Sequence, residues 1–325
     1  MSIRAVQVVT TDGPESLVIN EIPEPTPGPD EVLVDVHAVG ISFPDLLLSR
    51  GQYQLRPEPP FTLGVDFAGT VVTEGHGFTA GQRVCGVLSH GGAAERAVAH
   101  HSVVFGLPEG LSFEEGAALP MNYLTAHFAL AVRGQLKAGE SVLVHGAAGG
   151  VGTATIQMAK AYGARAIAVV STDEKAEIAR LAGADDVVRL ETFKDEVKAL
   201  TDGKGVDVIL DVVGGDIFTD SLRSLAPQGR LLVVGFAAGQ GIPEVKVNRL
   251  LLNNIDVRGV GWGDYAMKRP GYMTEQWAEI TPFLENGAIK PPIGKVYPME
   301  DFGQALIDMD QRKTLGKSVV TVRAS

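Results

Sequence analysis

The rhythm of hydrophobic positions along this chain changes near residue 119. Before that point apolar and polar residues alternate in short runs, at 4–10, 17–22, 31–39, 69–73, 83–87 and 94–98. Alternation of period two predicts half-buried strands, and turns such as Asp12-Gly13-Pro14 separate them. The stretch 23–29, PEPTPGP, is too proline-rich for a helix or a central strand. One short helix is predicted over 43–48, with Ser42 as its N-cap. The front of the chain therefore reads as an irregular, mostly β domain.

Beyond residue 119 a helical pattern over 123–133 leads into alternating strands and helices. Strands are predicted at 141–145, 165–170, 186–189, 206–212, 230–235 and 255–260, and helices at 151–162, 173–182, 192–201 and 216–225. The strands are nearly all apolar. Such strands alternating with helices predict an α/β unit whose parallel sheet is covered on both faces. Six of them fit the doubly wound Rossmann sheet. The tail carries helical patterns at 273–286 and 302–310 and a final strand at 318–323, expected to return to the front β domain. The predicted organisation is a Rossmann domain, 121–264, inserted in a mostly β domain made of 1–120 and 265–325.

The chemistry starts at 141–152, SVLVHGAAGGVG. Strand, glycine turn and helix bring free backbone N–H groups to a helix N-terminus, where a pyrophosphate binds. Gly149 and Gly152 supply the last two glycines of G-x-G-x-x-G, Ala147 stands at the first, and Gly150 and Val151 lie between. The next strand decides between cofactors. An acid at its end would hold a ribose 2′-OH and repel a 2′-phosphate. This strand ends in Ser171-Thr172, with Lys175 following, which favours NADPH. The alternatives are that Ser171-x-x-Glu174 is a capping box and Lys175 a solvated helix residue.

Composition narrows the field. Among 325 residues, 45% are hydrophobic and the net charge is −11, which argues against nucleic acid or an anionic membrane as partner. No apolar run approaches a membrane span and no secretory signal is evident, so a cytoplasmic location is expected. Cys85 is the only cysteine, so neither an internal disulfide nor a multi-cysteine zinc site can form within one chain. The seven histidines show no helical i, i+4 pair and no Cys partner, so no metal is expected. Gly-x-Ser-x-Gly is absent, which weakens a hydrolase reading.

Five stretches carry a resemblance: IPEPTPGPDEVLV (22–34), GISFPDLLLSRGQY (40–53), LGVDFAGTV (63–71), LSFEEGAALPMNYLTAHFAL (111–130) and VHGAAGGVG (144–152). With them the whole chain resembles the medium-chain dehydrogenase/reductase superfamily, in its zinc-free, zeta-crystallin-like quinone oxidoreductase branch. The resemblance implies a GroES-like catalytic domain around the Rossmann domain. Zinc-dependent relatives need a Cys and the His of a GHE motif; those places look like Ser42 or Phe43, and Gly64-Val65-Asp66.

It also implies cofactor contacts at Ser42, Thr125, Gly235, Phe236 and Trp262, the last three in loops closing over the cofactor. Arg312 matches a basic position near the cofactor, with Lys317 as its rival, and Arg189 stands beside Leu190 where relatives carry a tyrosine. Thr125 and Trp262 have packing roles as the alternative. Tyr53 matches a tyrosine facing the nicotinamide, either a proton donor or an aromatic lid. The implied reaction is hydride transfer from NADPH to a quinone or similar conjugated acceptor. The alternatives are reduction of an activated C=C bond, in an enone, acrylate or enoyl thioester, and a non-catalytic NADPH-binding, crystallin-like role. A homodimer is expected through the apolar edge 250–261.

Overall fold

In the computed structural model, which describes residues 1–323, the chain divides into two compact units. One holds Met1–Met121, Pro270–Glu285 and the segment from Ile293 onward; the other holds Asn122–Arg269 and Asn286–Pro292.

The front segment forms β1 (Ser2–Val8), β2 (Val18–Pro23), β3 (Glu31–Gly40), α1 (Phe43–Ser49), β4 (Phe61–Thr62), β5 (Asp66–Val71), β6 (Arg83–Val87), β7 (Arg96–His100), β8 (Val104–Gly106) and α2 (Phe113–Ala117). The middle forms α3 (Pro120–His127), β9 (Ser141–Val144), α4 (Gly150–Ala161), β10 (Arg165–Val170), α5 (Asp173–Leu181), β11 (Asp186–Arg189), α6 (Phe193–Leu200), β12 (Val206–Asp211), α7 (Phe218–Ser224), β13 (Leu225–Val233), α8 (Asn248–Asn253), β14 (Asp256–Gly259) and α9 (Trp262–Met267). The tail forms α10 (Tyr272–Glu285), β15 (Ile293–Pro298), α11 (Phe302–Asp310) and β16 (Lys317–Thr321).

The middle strands make one six-stranded sheet, ordered β11-β10-β9-β12-β13-β14, with every pairing parallel. This is the doubly wound order, which reverses between β9 and β12. Val142, Leu143, Val144, Ile209, Leu210, Leu231 and Leu232 are fully buried, as strands covered on both faces require. The mostly β unit holds a three-stranded sheet, β2-β1-β4, and a seven-stranded sheet along β15-β16-β3-β5-β6-β8, with β7 also on β3. β16 pairs antiparallel with β3, Val320 facing Val39, so the last strand does return to the front β sheet.

Four features depart from the sequence expectations. Phe128–Arg133 forms a π-helix that continues α3, where one regular helix was predicted. Residues 248–253, which overlap the start of the expected apolar edge 250–261, are helical, and Asn254 ends that helix in the left-handed conformation with φ 49°. Only β14 of that stretch is a sheet edge. β15, which has Gly294 inside it and ends in Pro298, gave no strand pattern; it pairs parallel with β16. Asn286–Pro292 and the segment up to Arg269 group with the Rossmann unit rather than with the tail. Gln157 on α4 explains part of this: its Nε2 donates to the Lys290 carbonyl (2.7 Å) and its Oε1 accepts the Lys290 N–H (3.0 Å).

Candidate active site

The glycine turn folds as its sequence dictates. β9 runs into His145 and then Gly146, whose φ of 64° is a conformation that favours glycine. α4 begins at Gly150, with Gly149 as N-cap and no side chain capping it. The first intrahelical bond runs from Thr153 N–H to Gly149 O (2.9 Å). The earlier N–H groups of the first turn are the ones an anion uses. A Cβ on Gly152 would lie 2.2 Å from Gly146 O, so helix and turn approach at a distance only glycine permits. The turn's left-handed glycine is thus Gly146, not the residue at Ala147, which is fully buried with ordinary backbone. A Cβ on Gly150 would lie 2.8 Å from the buried Asn122 side chain. Gly146 and Asn122 shape the turn, and neither was among the residues predicted to bind the cofactor; the spacing Gly146-x-x-Gly149-x-x-Gly152 was the available signal for the first.

At the end of β10 the side chains are Ser171 and Thr172, both exposed. Thr172, not Ser171, caps α5: its hydroxyl accepts the Lys175 N–H at 3.3 Å. The capping-box alternative for Ser171 therefore falls away. Lys175 Nζ instead donates to Ser171 Oγ (3.3 Å), which gathers a hydroxyl and an ammonium at this strand end. Arg189, at the end of β11, is ion-paired with Asp173 on α5.

Within the same unit Thr125 is almost fully buried on α3. Gly235 and Phe236 follow β13, and the Phe236 ring lies against Gly214, where a Cβ would meet Cδ1 at 2.8 Å. Trp262 departs from expectation: it starts α9 and is 3% exposed, so it is a core aromatic rather than part of an open loop. His145 is also core. It donates to or accepts from Ser221 Oγ through Nε2 (2.8 Å), and burial lowers its pKa to about 3, so its ring is neutral.

The mostly β unit contains a buried charged cluster. Lys317, first residue of β16, is 4% exposed along its side chain and Asp66, first residue of β5, is 0% exposed. Lys317 Nζ donates to Asp66 Oδ2 (3.0 Å) and to Ser42 Oγ (2.7 Å). Ser42 Oγ donates to the same Asp66 oxygen (2.8 Å), and Met121 N–H donates to Asp66 Oδ1 (2.8 Å). Gly40 makes room for the lysine, since a Cβ there would lie 2.9 Å from Lys317 Cε. Arg312, the rival basic residue, is exposed just after α11, with φ 58°.

Asp45 lies beside this cluster and is fully buried. Its carboxylate accepts Gly64 N–H (2.9 Å) and Ser42 N–H (3.2 Å). Burial raises its pKa to about 7; the two N–H donors and Lys317 pull it down, and Asp66 pushes it up. Tyr53 is half-buried, and its pKa is raised first by burial and then by the charge of Asp45. The phenol therefore stays protonated at neutral pH and can donate a hydrogen bond. Cys85 is buried with its thiol pKa pushed well up, so it is no nucleophile.

Comparison with known proteins matches this architecture. The alcohol dehydrogenase GroES-like domain family matches residues 28–125, and the zinc-binding dehydrogenase family matches residues 150–286. Quinone oxidoreductase-like protein 2 of Rattus norvegicus is 39% identical over 97% of this chain and 91% of its own. The chain belongs to the medium-chain dehydrogenase/reductase superfamily, in its quinone oxidoreductase branch. Two solved members are similar throughout. A probable oxidoreductase from Mycobacterium abscessus has a TM-score of 0.90 at 42% identity, covering 99% of each chain. A mycobacterial protein complexed with NADPH has a TM-score of 0.88 at 33% identity, covering 98% of this chain and 100% of that one. This superfamily member is an oxidoreductase with a nicotinamide dinucleotide-binding fold. Among the described residues, no helix is long and apolar enough to cross a membrane.

Proposed function

We propose that this chain is a zinc-independent reductase that uses NADPH to reduce a quinone or a similar conjugated, electron-poor acceptor. The observation that carries the reading is the Lys317 ammonium, 3.0 Å from Asp66 and 2.7 Å from Ser42. A catalytic zinc needs about three protein ligands at an open position. Here the places that would supply them hold Ser42 and Val65, and a buried cation already satisfies the neighbouring carboxylate. The residues present do not fit zinc. That favours an acceptor whose oxyanion is stabilised by its own conjugation, which needs no Lewis acid.

Bound NADPH would supply the hydride. Gly150, Val151 and Gly152 offer backbone N–H groups to its pyrophosphate, and Gly149, whose own N–H is held by the Gly146 carbonyl (3.0 Å), lets the chain approach it without a side chain. Ser171, Thr172 and Lys175 offer two hydroxyls and an ammonium to its 2′-phosphate. Thr125, Ser42, Gly235, Phe236 and the exposed Arg312 complete the proposed cofactor contacts; Trp262 supports α9 from the core. Tyr53 holds a proton at its hydroxyl and donates a hydrogen bond to the oxygen on which negative charge develops. Quinone, one hydride and one proton give the hydroquinone, and water can supply the proton.

The same proposal includes a cytoplasmic homodimer. β14 is an open sheet edge, and α8 next to it leaves Leu251 and Leu252 about three-quarters exposed, at 75% and 73%. A light-scattering mass equal to one chain would remove the dimer.

Steady-state oxidation of NADPH and NADH against benzoquinone, naphthoquinone, an enone and an enoyl-CoA tests the reading. Faster turnover of quinones with NADPH is expected, unchanged by a zinc chelator. Preference for the enone or enoyl-CoA would make the protein a C=C reductase instead. Tight NADPH binding without turnover of any acceptor would favour the non-catalytic role.

A further inference from the structure

We propose that Asp30, His76 and His101 form a surface site for a borderline divalent metal ion such as Zn2+, separate from the proposed catalytic chemistry. Three segments distant in sequence converge there. Asp30 ends the turn before β3, His76 tips the hairpin between β5 and β6, and His101 begins the short 3-10 turn after β7. One ligand atom from each of the three lies within 4.8 Å of the others. Donors on a tetrahedral zinc, with bonds of about 2.0–2.1 Å, stand roughly 3.3 Å apart. Closing the set takes a contraction of about 1.5 Å or less between donors, and Asp30 and His76 are exposed. Two imidazoles and one carboxylate suit zinc and its neighbours better than magnesium or calcium. Water would complete the coordination.

Further observations separate this set from a chance surface cluster. His76 has φ 53°, a left-handed conformation for a residue with a Cβ, although glycines flank it on both sides with open space around them. A third glycine would take that backbone at no steric cost, and the chain has a histidine there instead. The hairpin tip is also fixed: Gly75 and Phe78 exchange backbone hydrogen bonds of 3.1 and 2.9 Å. His76 and His101 stack at 4.8 Å with 7° between planes, and His100 stacks on His101 at 4.6 Å. The Asp30 carbonyl accepts His101 N–H (3.0 Å), which fixes two of the three segments to one another before any ion arrives. A bound ion would add a cross-link from both to the β5–β6 hairpin.

The test uses the full-length, tag-free protein and Zn2+ alone. Calorimetric titration of the wild type is expected to show one equivalent per chain and a rise in melting temperature with added zinc. Both are expected to be lost in His76→Gln and His101→Gln, weakened in Asp30→Asn, and kept in His90→Gln. His76→Gly separates ligation from folding: it relieves the backbone, so metal-free stability should hold or rise while the zinc-dependent increase disappears. Absence of stoichiometric binding by the wild type, or binding that survives both histidine substitutions, would overturn the proposal.

Discussion

Lys317 and Asp66 form an ion pair of 3.0 Å with both side chains almost wholly removed from solvent. A pair this deep is costly to desolvate, and its geometry has to be good for it to persist. Here the Asp66 oxygens also accept from Ser42 and from Met121 N–H, which completes the compensation.

Breaking that pair from one side leaves an uncompensated buried charge. Lys317→Met is expected to lower stability by about 3–5 kcal/mol, and adding Asp66→Asn to recover part of the loss. Urea unfolding of the two variants measures both. Equal stability of Lys317→Met and wild type would mean that the pair is not formed in solution.

Asp45 gives a pH dependence with a definite sign. Its pKa is about 7 when folded, against an ordinary value of 3.8. The native state therefore binds more protons than the unfolded chain between those values, and this group makes stability fall as pH rises from about 4 to 7. The contribution is flat on either side. Asp45→Asn should remove that slope, which chemical denaturation at a series of pH values reads directly.

The proposed preference for NADPH rests on the end of β10. Ser171→Asp places a carboxylate where the Ser171 hydroxyl now meets the Lys175 ammonium (3.3 Å), opposite the proposed 2′-phosphate. NADPH affinity should fall by about tenfold or more, ~1.4 kcal/mol, with NADH unaffected or improved. Fluorescence titration with both dinucleotides decides it; an unchanged ratio would show that Ser171 lies away from the adenosine ribose.

Gly152→Ala tests the turn itself. The new methyl would meet a backbone oxygen at 2.2 Å, which the turn must move to avoid. Dinucleotide binding should be lost or severely weakened, with a stability cost of about 1–3 kcal/mol. Retained wild-type affinity for NADPH would exclude this helix N-terminus as the pyrophosphate site.

Tyr53→Phe separates the two roles open to the phenol. A proton donor in C=C reduction is worth about 10²–10⁴-fold, whereas a quinone's oxygen can take its proton from water. Enone turnover should drop far more than quinone turnover. Equal losses would assign Tyr53 a packing role.

Local signals read well wherever periodicity and burial agree. β6, β10, β11 and α11 lie where the patterns put them, and β9, α4, α5 and β12 differ by a residue or so at their ends. α8 did not, because three consecutive leucines carry no helical period, and α9 did not, because Gly261-Trp262-Gly263 looks like a turn in isolation. β15 was illegible because its partner, β16, lies some twenty residues further along and supplies the pairing.

The candidate site divides in the same way. Sequence alone determined the βαβ glycine turn, the strand ending without an acid, and the doubly wound sheet, because each depends on residues close together in the chain. Tertiary structure alone decided that Thr172 rather than Ser171 caps α5, that Gly146 takes the left-handed turn position, that Trp262 is core, and that Lys317 pairs with Asp66. Those outcomes depend on which groups share one desolvated volume. Burial of a charge is tolerated only where distant segments bring its partners within hydrogen-bond reach, and no spacing along the chain encodes that meeting.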